Sequence, residues 1–476
     1  MYGGAASLSK AFSLITFPIV ARHFSVAEYG SLDYFLTLAS LLAVSLIFGH
    51  DSAVARYFYE HEDVRARRQL ISQSLMVQVA GMAIAVPALW LSADRVSGVL
   101  LPTENADGLL RIVVLQLPFM VAINFSQNLL KWTFARAQFL TMSLGMTIVQ
   151  ASGLVIAVLA FDADVRSVLL VCLVTSALFG VLGLIFVRRW LEWPRNLRHA
   201  REMLPYAVPL GVICVAGAFS PTLERILTDR LLGAQELGLY AAAAKVAMLV
   251  GLLVGAFQTA WGPFSLSIHR QPYAAHTYNQ VLRLFALAMC VAVLGLTLIG
   301  GLIIWVLASD RYSGAASAVF PLAMGLAVQA TSWITELGIG LSKRSHLNLY
   351  PYGASLAVTL GAIWIFAPAY GLFGVACGVL LGHCARAVVA SWLAQRAYPL
   401  PWSYGPVIVL MSATALLGLL AAWGGQCFGD HVHAVILVSS ILGISLAGWR
   451  TLFSQSERAA IRDGLLRRTR RMIWGA

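Results

Sequence analysis

The sequence predicts an all-α polytopic membrane protein of about fourteen transmembrane helices. Three observations lead there. Of 476 residues, 59% are hydrophobic and 11% charged, with a mean hydropathy of +0.79; a soluble domain carries about 25% charged residues. Apolar runs of roughly 20 residues, long enough to cross a bilayer, recur along the whole chain. The runs are continuous rather than alternating. Lipid requires every backbone group to pair within the spanning element, so such runs form helices and not a barrel.

In order, the runs are 5–22, 31–49, 71–92, 109–129, 141–161, 167–187, 205–226, 240–260, 284–307, 319–341, 351–368, 372–394, 406–424 and 433–449. The first begins almost at Met1 without a basic leader, and so reads as a spanning helix and not as a cleavable signal. The run 205–226 is interrupted by Pro209, Pro221, Glu224 and Arg225.

Charge placement sets the orientation. The net charge of +12 is the balance of 33 basic and 21 acidic residues; the placement of the basic ones is informative. With fourteen spans, 24 of them fall on the side that holds both termini, including Arg386 near a helix end and seven arginines from Arg450 onward. The positive-inside rule then places both termini in the cytoplasm. The basic balance is a topology signal and implies no nucleic-acid partner.

The organisation expected is a six-helix bundle (1–190), a cytoplasmic linker (191–204), a second six-helix bundle (205–394), an added helix pair (395–449) and a basic tail (450–476). Six spans per half insert both halves the same way up, which is a parallel repeat. A trace of duplication supports it. Arg22, Glu28 and Gly30 precede Arg230, Glu236 and Gly238 by one constant offset, each set in a short turn between two apolar runs. In the tail, Ser454 and Glu457 have capping-box spacing. The residues that follow read as an amphipathic helix on lipid, or simply as a positive-inside anchor.

Ionisable residues within spans are expensive and usually face the bundle interior. They are Lys10, Glu224, Arg225, Lys245, Glu336 and Arg386. Two readings apply: a basic cavity for an anionic substrate, or side chains that snorkel to an interface. Two spans carry polar stripes at helical spacing. One holds Gln116, Asn124, Gln127, Asn128 and Lys131, the other Gln329, Ser332, Trp333 and Glu336. Amides beside an aromatic ring suit sugars, and the same groups also make ordinary interhelical hydrogen bonds. Asp51 and Arg56 stand about 1.5 turns apart at the end of the second span, as a gate pair or a structural salt bridge.

Catalytic constellations are missing: there is no HExxH, GxSxG or Walker A motif, and no enzyme activity is expected. The six cysteines form no CxxC pair. Cys377, His383 and Cys384 lie together on one helix, where buried cysteine most often serves as a small hydrophobe, so no metal is expected.

Several segments in order carry a resemblance. They are FPIVARHFSVAEYGSLDYF, GHDSAVARYFYE, LPYAVPLGVICVAGAFSPTLERILTDRLLGAQELGLYAAAAKVA, FQTAWGPFSLS, YSGAASAVFPLAMGL and YGLFGVACG. With them the chain resembles the Wzx-type O-antigen and polysaccharide flippases of the multidrug/oligosaccharidyl-lipid/polysaccharide exporter superfamily. The resemblance implies two bundles around a central cavity, alternating access, and an oligosaccharide on undecaprenyl pyrophosphate as substrate in the bacterial inner membrane. It implies no cofactor beyond an H+ or Na+ gradient. Its implied partners are the lipid-linked substrate, membrane lipids and polysaccharide polymerase machinery. On that reading Lys10, Arg225 and Lys245 meet the pyrophosphate. Asn124, Gln127, Asn128, Gln329 and Trp333 meet sugars, Glu336 and Glu224 couple the ion, and Asp51 and Arg56 form the gate. The first span has Lys10 where drug-exporting relatives have an acid, which favours an anionic substrate. The competing expectations are an ion-coupled multidrug exporter of the same fold and a membrane polymerase or glycosyltransferase.

Overall fold

The computed structural model describes residues 16–100, 106–194, 196–342, 344–455 and 457–458. Lys10, Lys343 and the basic tail beyond Arg458 lie outside them. The described residues form helices throughout, and twelve helices are long and apolar enough to cross a membrane. Twelve and fourteen are reconciled by two local facts. The first run is described only at its end, as a helix over 16–23 (α1). The helix Leu349–Ala397 contains two of the expected runs and breaks at Gly371, whose φ of 55° leaves the helical region. Only glycine adopts such a conformation without strain, so the chain turns back there between α11 (349–370) and α12 (372–397).

The remaining spans are α2 (Val26–Ile47), α3 (Val64–Leu91), α4 (Ala106–Trp132), α5 (Arg136–Phe161), α6 (Val165–Trp190), α7 (Arg198–Leu232) and α8 (Ala234–Ile268). They continue with α9 (Ala274–Ala308), α10 (Ala316–Thr335), α13 (Tyr404–Phe428) and α14 (Asp430–Leu452). The run interrupted by prolines is one helix of 35 residues, with Pro205, Pro209 and Pro221 inside it. At 1.5 Å per residue it is about 50 Å long, more than the roughly 30 Å of a bilayer core. Two short helices outside the expected runs, His50–Glu60 and Ala93–Leu100, follow α2 and α3.

The repeated turn shows how sequence makes the local structure. Ser25 caps α2 in a reciprocal box: Glu28 N–H donates to Ser25 Oγ (3.3 Å), and Ser25 N–H donates to Glu28 Oε2 (2.9 Å). These bonds satisfy backbone donors that the first helical turn leaves unpaired. At the equivalent place in the second copy stands Gly233, with a φ of 91°, which a side chain tolerates poorly.

The two copies meet at the centre. α2 packs against both α7 and α8. A Cβ built on Gly30 would lie 2.6 Å from the backbone nitrogen of Gly238, and one built on Gly238 would strike the carbonyl of Val26. Residues related by the duplication therefore touch each other. Under two-fold symmetry this happens only on or near the axis, where a surface patch meets its own copy. The end of α2 also closes on α7, where Gly49 leaves no room beside Ala207 and Gly211.

Arginines tie the halves further. Arg22, in the last turn of α1, donates to the carbonyl of Val306 in the last turn of α9 (2.6 Å), and Arg311 donates back to the carbonyl of Arg22 (2.7 Å). Each guanidinium caps the electronegative end of the other half's helix. Within the second half, Gly374, Gly378 and Gly382 bring α12 against α11, leaving no room for a Cβ beside Phe366, Ile363 and Thr359. Small residues at i, i+4, i+8 permit this close approach in a membrane. α13 and α14 pack on α9 and on each other. Past α14, Ser454 and Glu457 make the expected box, with N–H to side-chain distances of 2.8 and 3.2 Å.

Candidate functional site

Among the described residues, the buried charges gather in the second half, around a cavity of 210 Å³ between α7, α8, α10, α11 and α12. Its walls include Glu224, Arg225, Tyr240, Gln329, Tyr352, Ser355, His383 and Arg386. A larger crevice of 520 Å³ lies between α9, α10, α12 and α13. No charged side chain lines it, so the chemistry lies in the smaller cavity.

α7 continues through Pro221, whose carbonyl accepts a hydrogen bond from Arg225 Nη1 at 2.9 Å. Successive helical residues point about 100° apart, so Glu224 and Arg225 face different neighbours. Glu224 turns toward α8: Tyr240 Oη donates to its Oε2 (2.7 Å) and Ser220 Oγ to its Oε1 (2.9 Å). Arg225 turns toward the first half, where its Nε donates to Asp33 Oδ2 of α2 at 2.7 Å. Both members are largely buried, at 7% and 18% side-chain exposure. This ion pair crosses the seam between the halves. Asp33 was not singled out from the sequence: it lies in the run 31–49, and nothing in its own segment points to a partner on α7.

The second charged pair joins α10 to α12. Arg386 Nη2 lies 3.1 Å from Glu336 Oε1, and Arg386 Nη1 donates to Ser332 Oγ at 3.3 Å. The Arg386 guanidinium lies 4.8 Å from the centre of the Tyr352 ring and 6.0 Å from that of Trp333. The whole stripe Ser332, Trp333, Glu336 thus faces one arginine, and Gln329, a turn earlier, faces the cavity. Arg386, counted from the sequence with the loops, is 3% exposed and does not snorkel. The structure therefore pairs Arg225 and Arg386 each with a carboxylate.

Other expected residues lie elsewhere. Lys245 is half-buried on α8, beside but not on the cavity wall, and makes no ion pair among the described residues. Asn124, Gln127 and Asn128 are half-buried on α4 in the first half, with Asn128 Nδ2 donating to Asn124 Oδ1 at 3.0 Å. Gln116 of the same stripe makes an interhelical bond to Ser176 Oγ at 2.9 Å. The pairing expected between Asp51 and Arg56 does not form. Arg56 lies 3.7 Å from Glu60, one turn away, and 4.6 Å from the Tyr206 ring centre, while Asp51 accepts from the N–H of Ser52. Cys384 lines the apolar crevice and His383 the polar cavity, so neighbours in sequence face different spaces.

The described residues form a multi-pass helical membrane bundle with two buried ion pairs at and beside the seam between its halves. The chain belongs to the polysaccharide biosynthesis protein family, whose model matches residues 2–269. It is 24% identical over 463 residues to the succinoglycan biosynthesis transport protein ExoT of Rhizobium meliloti (strain 1021), covering 94% of this chain and 90% of that one. Its fold is similar to that of the lipid II flippase MurJ in an inward closed conformation, with a TM-score of 0.73, 14% identity, and coverage of 94% of this chain and 98% of that one. It is also similar to an inward-facing MATE family transporter of the MOP superfamily, with a TM-score of 0.64, 14% identity, and coverage of 86% and 96%. At these identities the likeness is one of fold. The resemblance read from the sequence is borne out at the level of family and fold.

Proposed function

We propose that the protein is a flippase that moves an oligosaccharide on undecaprenyl pyrophosphate from the cytoplasmic to the periplasmic leaflet of the bacterial inner membrane. Movement is by alternating access of the two halves. The observation that carries the proposal is the Asp33–Arg225 pair, which links one half to the other at the cavity wall. Parting of the halves takes Asp33 away from Arg225. A buried charge that loses its partner is destabilised by about 3–5 kcal/mol. A pyrophosphate offsets that loss, because a guanidinium binds phosphate oxygens through two parallel, charge-assisted hydrogen bonds. The anionic headgroup is thus the ligand for which opening is least costly. Membership of a polysaccharide biosynthesis family and similarity to a succinoglycan transport protein support the same reading. Lys10 and Lys245 are proposed to serve the headgroup at other stages. Glu224 and Glu336 are proposed to couple H+ or Na+ entry, and polymerase machinery to receive the product.

A second reading has one observation behind it. Glu224 is held by two neutral hydroxyls and makes no ion pair among the described residues, while Arg225 and Arg386 are each paired with another carboxylate. A surplus acid suits a cation, as in a drug exporter.

A deletion strain separates the two. Loss of surface polysaccharide, with lipid-linked oligosaccharide accumulating inside, is expected. It should be rescued by the wild-type gene and not by Arg225→Ala at equal protein level. Unchanged polysaccharide together with heightened drug sensitivity would overturn the flippase in favour of the exporter.

A further inference from the structure

The cavity's charges already have partners. Glu224 accepts from Ser220 and Tyr240, Arg225 donates to Asp33 and Pro221, and both terminal nitrogens of Arg386 are engaged by Glu336 and Ser332. Four polar groups on the same wall have no hydrogen-bond partner among the described residues: the Gln329 amide, the Tyr352 and Ser355 hydroxyls and the His383 imidazole. His383 Nδ1, and Arg386 Nε behind the wall, are unpartnered and fully buried.

Unpartnered polar groups in an apolar setting carry a desolvation penalty that a ligand's hydrogen bonds relieve. The spare groups decide which ligand. A phosphate needs unspent cations, and both arginines are already engaged by carboxylates. A metal cation needs converging carboxylate oxygens, and those of Glu224 and Glu336 already accept hydrogen bonds. What is left is mainly neutral and mixes donors with acceptors: the amide and the two hydroxyls do both. Tyr352 adds an aromatic ring. That combination fits a neutral ring bearing hydroxyls. The volume of 210 Å³ is roughly seven times a water's share of the liquid, room for one sugar ring and not for an oligosaccharide.

We infer that this cavity is a monosaccharide subsite that binds one neutral sugar unit through Gln329, Tyr352, Ser355 and His383. The inference rests on the flippase reading for the source of the sugar, and it separates the sugar from the pyrophosphate. The headgroup is left to whichever cation is released when the halves part. Sugar selection is then a property of α10, α11 and α12. A site lined by unpaired hydrogen-bonding groups rejects ligands that fail to pair with them.

The test is saturation-transfer NMR on the full chain in lipid nanodiscs. The probes are the methyl glycosides of glucose, galactose and N-acetylglucosamine, together with glucuronic acid and inorganic pyrophosphate. At least one neutral glycoside should receive saturation, and pyrophosphate should not displace it. Gln329→Leu and His383→Leu should each weaken binding by about tenfold, and Tyr352→Phe, which keeps the ring and removes only the hydroxyl, by about threefold. No transfer to any neutral glycoside, displacement by pyrophosphate, or unchanged binding in all three variants would overturn the subsite and leave water as the cavity's occupant. The two proposals fail separately. Lost polysaccharide in the deletion strain without glycoside binding removes the subsite and keeps the flippase. Glycoside binding with normal polysaccharide does the reverse.

Discussion

Arg225 and Asp33 show why a buried charge cannot be judged from its own segment. A cation inside a span must be paired, wet or near an interface, and sequence offers no way to choose, because the partner lies 192 positions away. The pair makes a two-sided prediction. Arg225→Gln or Asp33→Asn alone should lower the amount of folded protein, since each leaves a buried charge unpaired at about 3–5 kcal/mol. The double variant should recover much of that amount, and surface polysaccharide should still be missing. A double-mutant cycle on protein level, read beside polysaccharide output, checks both sides. At the tail, Glu457 accepts hydrogen bonds from the Ser454 N–H and from Gln280 of α9, with Arg283 at 3.9 Å and His276 at 3.6 Å. The Ser454 backbone bond, followed by the bonds from Gln280 and Ser454 Oγ and the charge of Arg283, holds its carboxyl below the ordinary value of 4.5. A depressed carboxyl stabilises docking fully above that value and loses the contribution as pH falls through the lower folded one. Hydrogen exchange at residues 454, 457 and 458, corrected for intrinsic rates, should show protection from pH 8 down to about 5 and its loss in more acid solution. Glu457→Gln should lose part of that protection at every pH.

At the scale of the element, glycine placement decides which helices touch. α2 and α8 cross at Gly30 and Gly238 with backbone against backbone. A methyl group at 238 meets the Val26 carbonyl, which neither rotates nor shortens, so the helices must separate. Gly238→Ala is therefore expected to destabilise by about 1–3 kcal/mol, the usual range for overpacking, and to lower the midpoint of thermal unfolding in detergent. Gly251→Ala, on the same helix with nothing within 4 Å, is the control and should leave it unchanged. The helices themselves were legible: continuous apolar runs fix where they lie, because lipid admits little else. Their extents were less so. α7 runs on through three prolines, since in a membrane neighbouring helices and side chains re-satisfy the groups that proline frees.

For the whole molecule, the constant offset between Arg22, Glu28, Gly30 and Arg230, Glu236, Gly238 pointed to two copies inserted the same way up. The contact of Gly30 with Gly238 is what a two-fold arrangement of such copies produces at its axis. The arginine bias makes a prediction at this scale. Reporters fused in the loop 399–403 and after Ala476 should both show cytoplasmic activity. A periplasm-dependent enzyme should be active only when fused to a turn such as 308–312. Activity of the periplasm-dependent enzyme at either of the first two positions would reverse the orientation and with it the proposed direction of transport.

Composition, run length and arginine bias determined on their own that this is a helical membrane protein, with an expected orientation and a parallel duplication. These follow from the solvent, which acts on each segment independently. The ordered motifs added the family. Tertiary structure alone decided which charges are spent. It paired Arg225 with Asp33 and Arg386 with Glu336, withheld the expected Asp51–Arg56 pair, and turned Gln329 and His383 into one cavity with Tyr352 and Ser355. Electrostatic and hydrogen-bond partners are a matter of distances of a few ångströms between helices far apart in the chain, and no single helix carries that information.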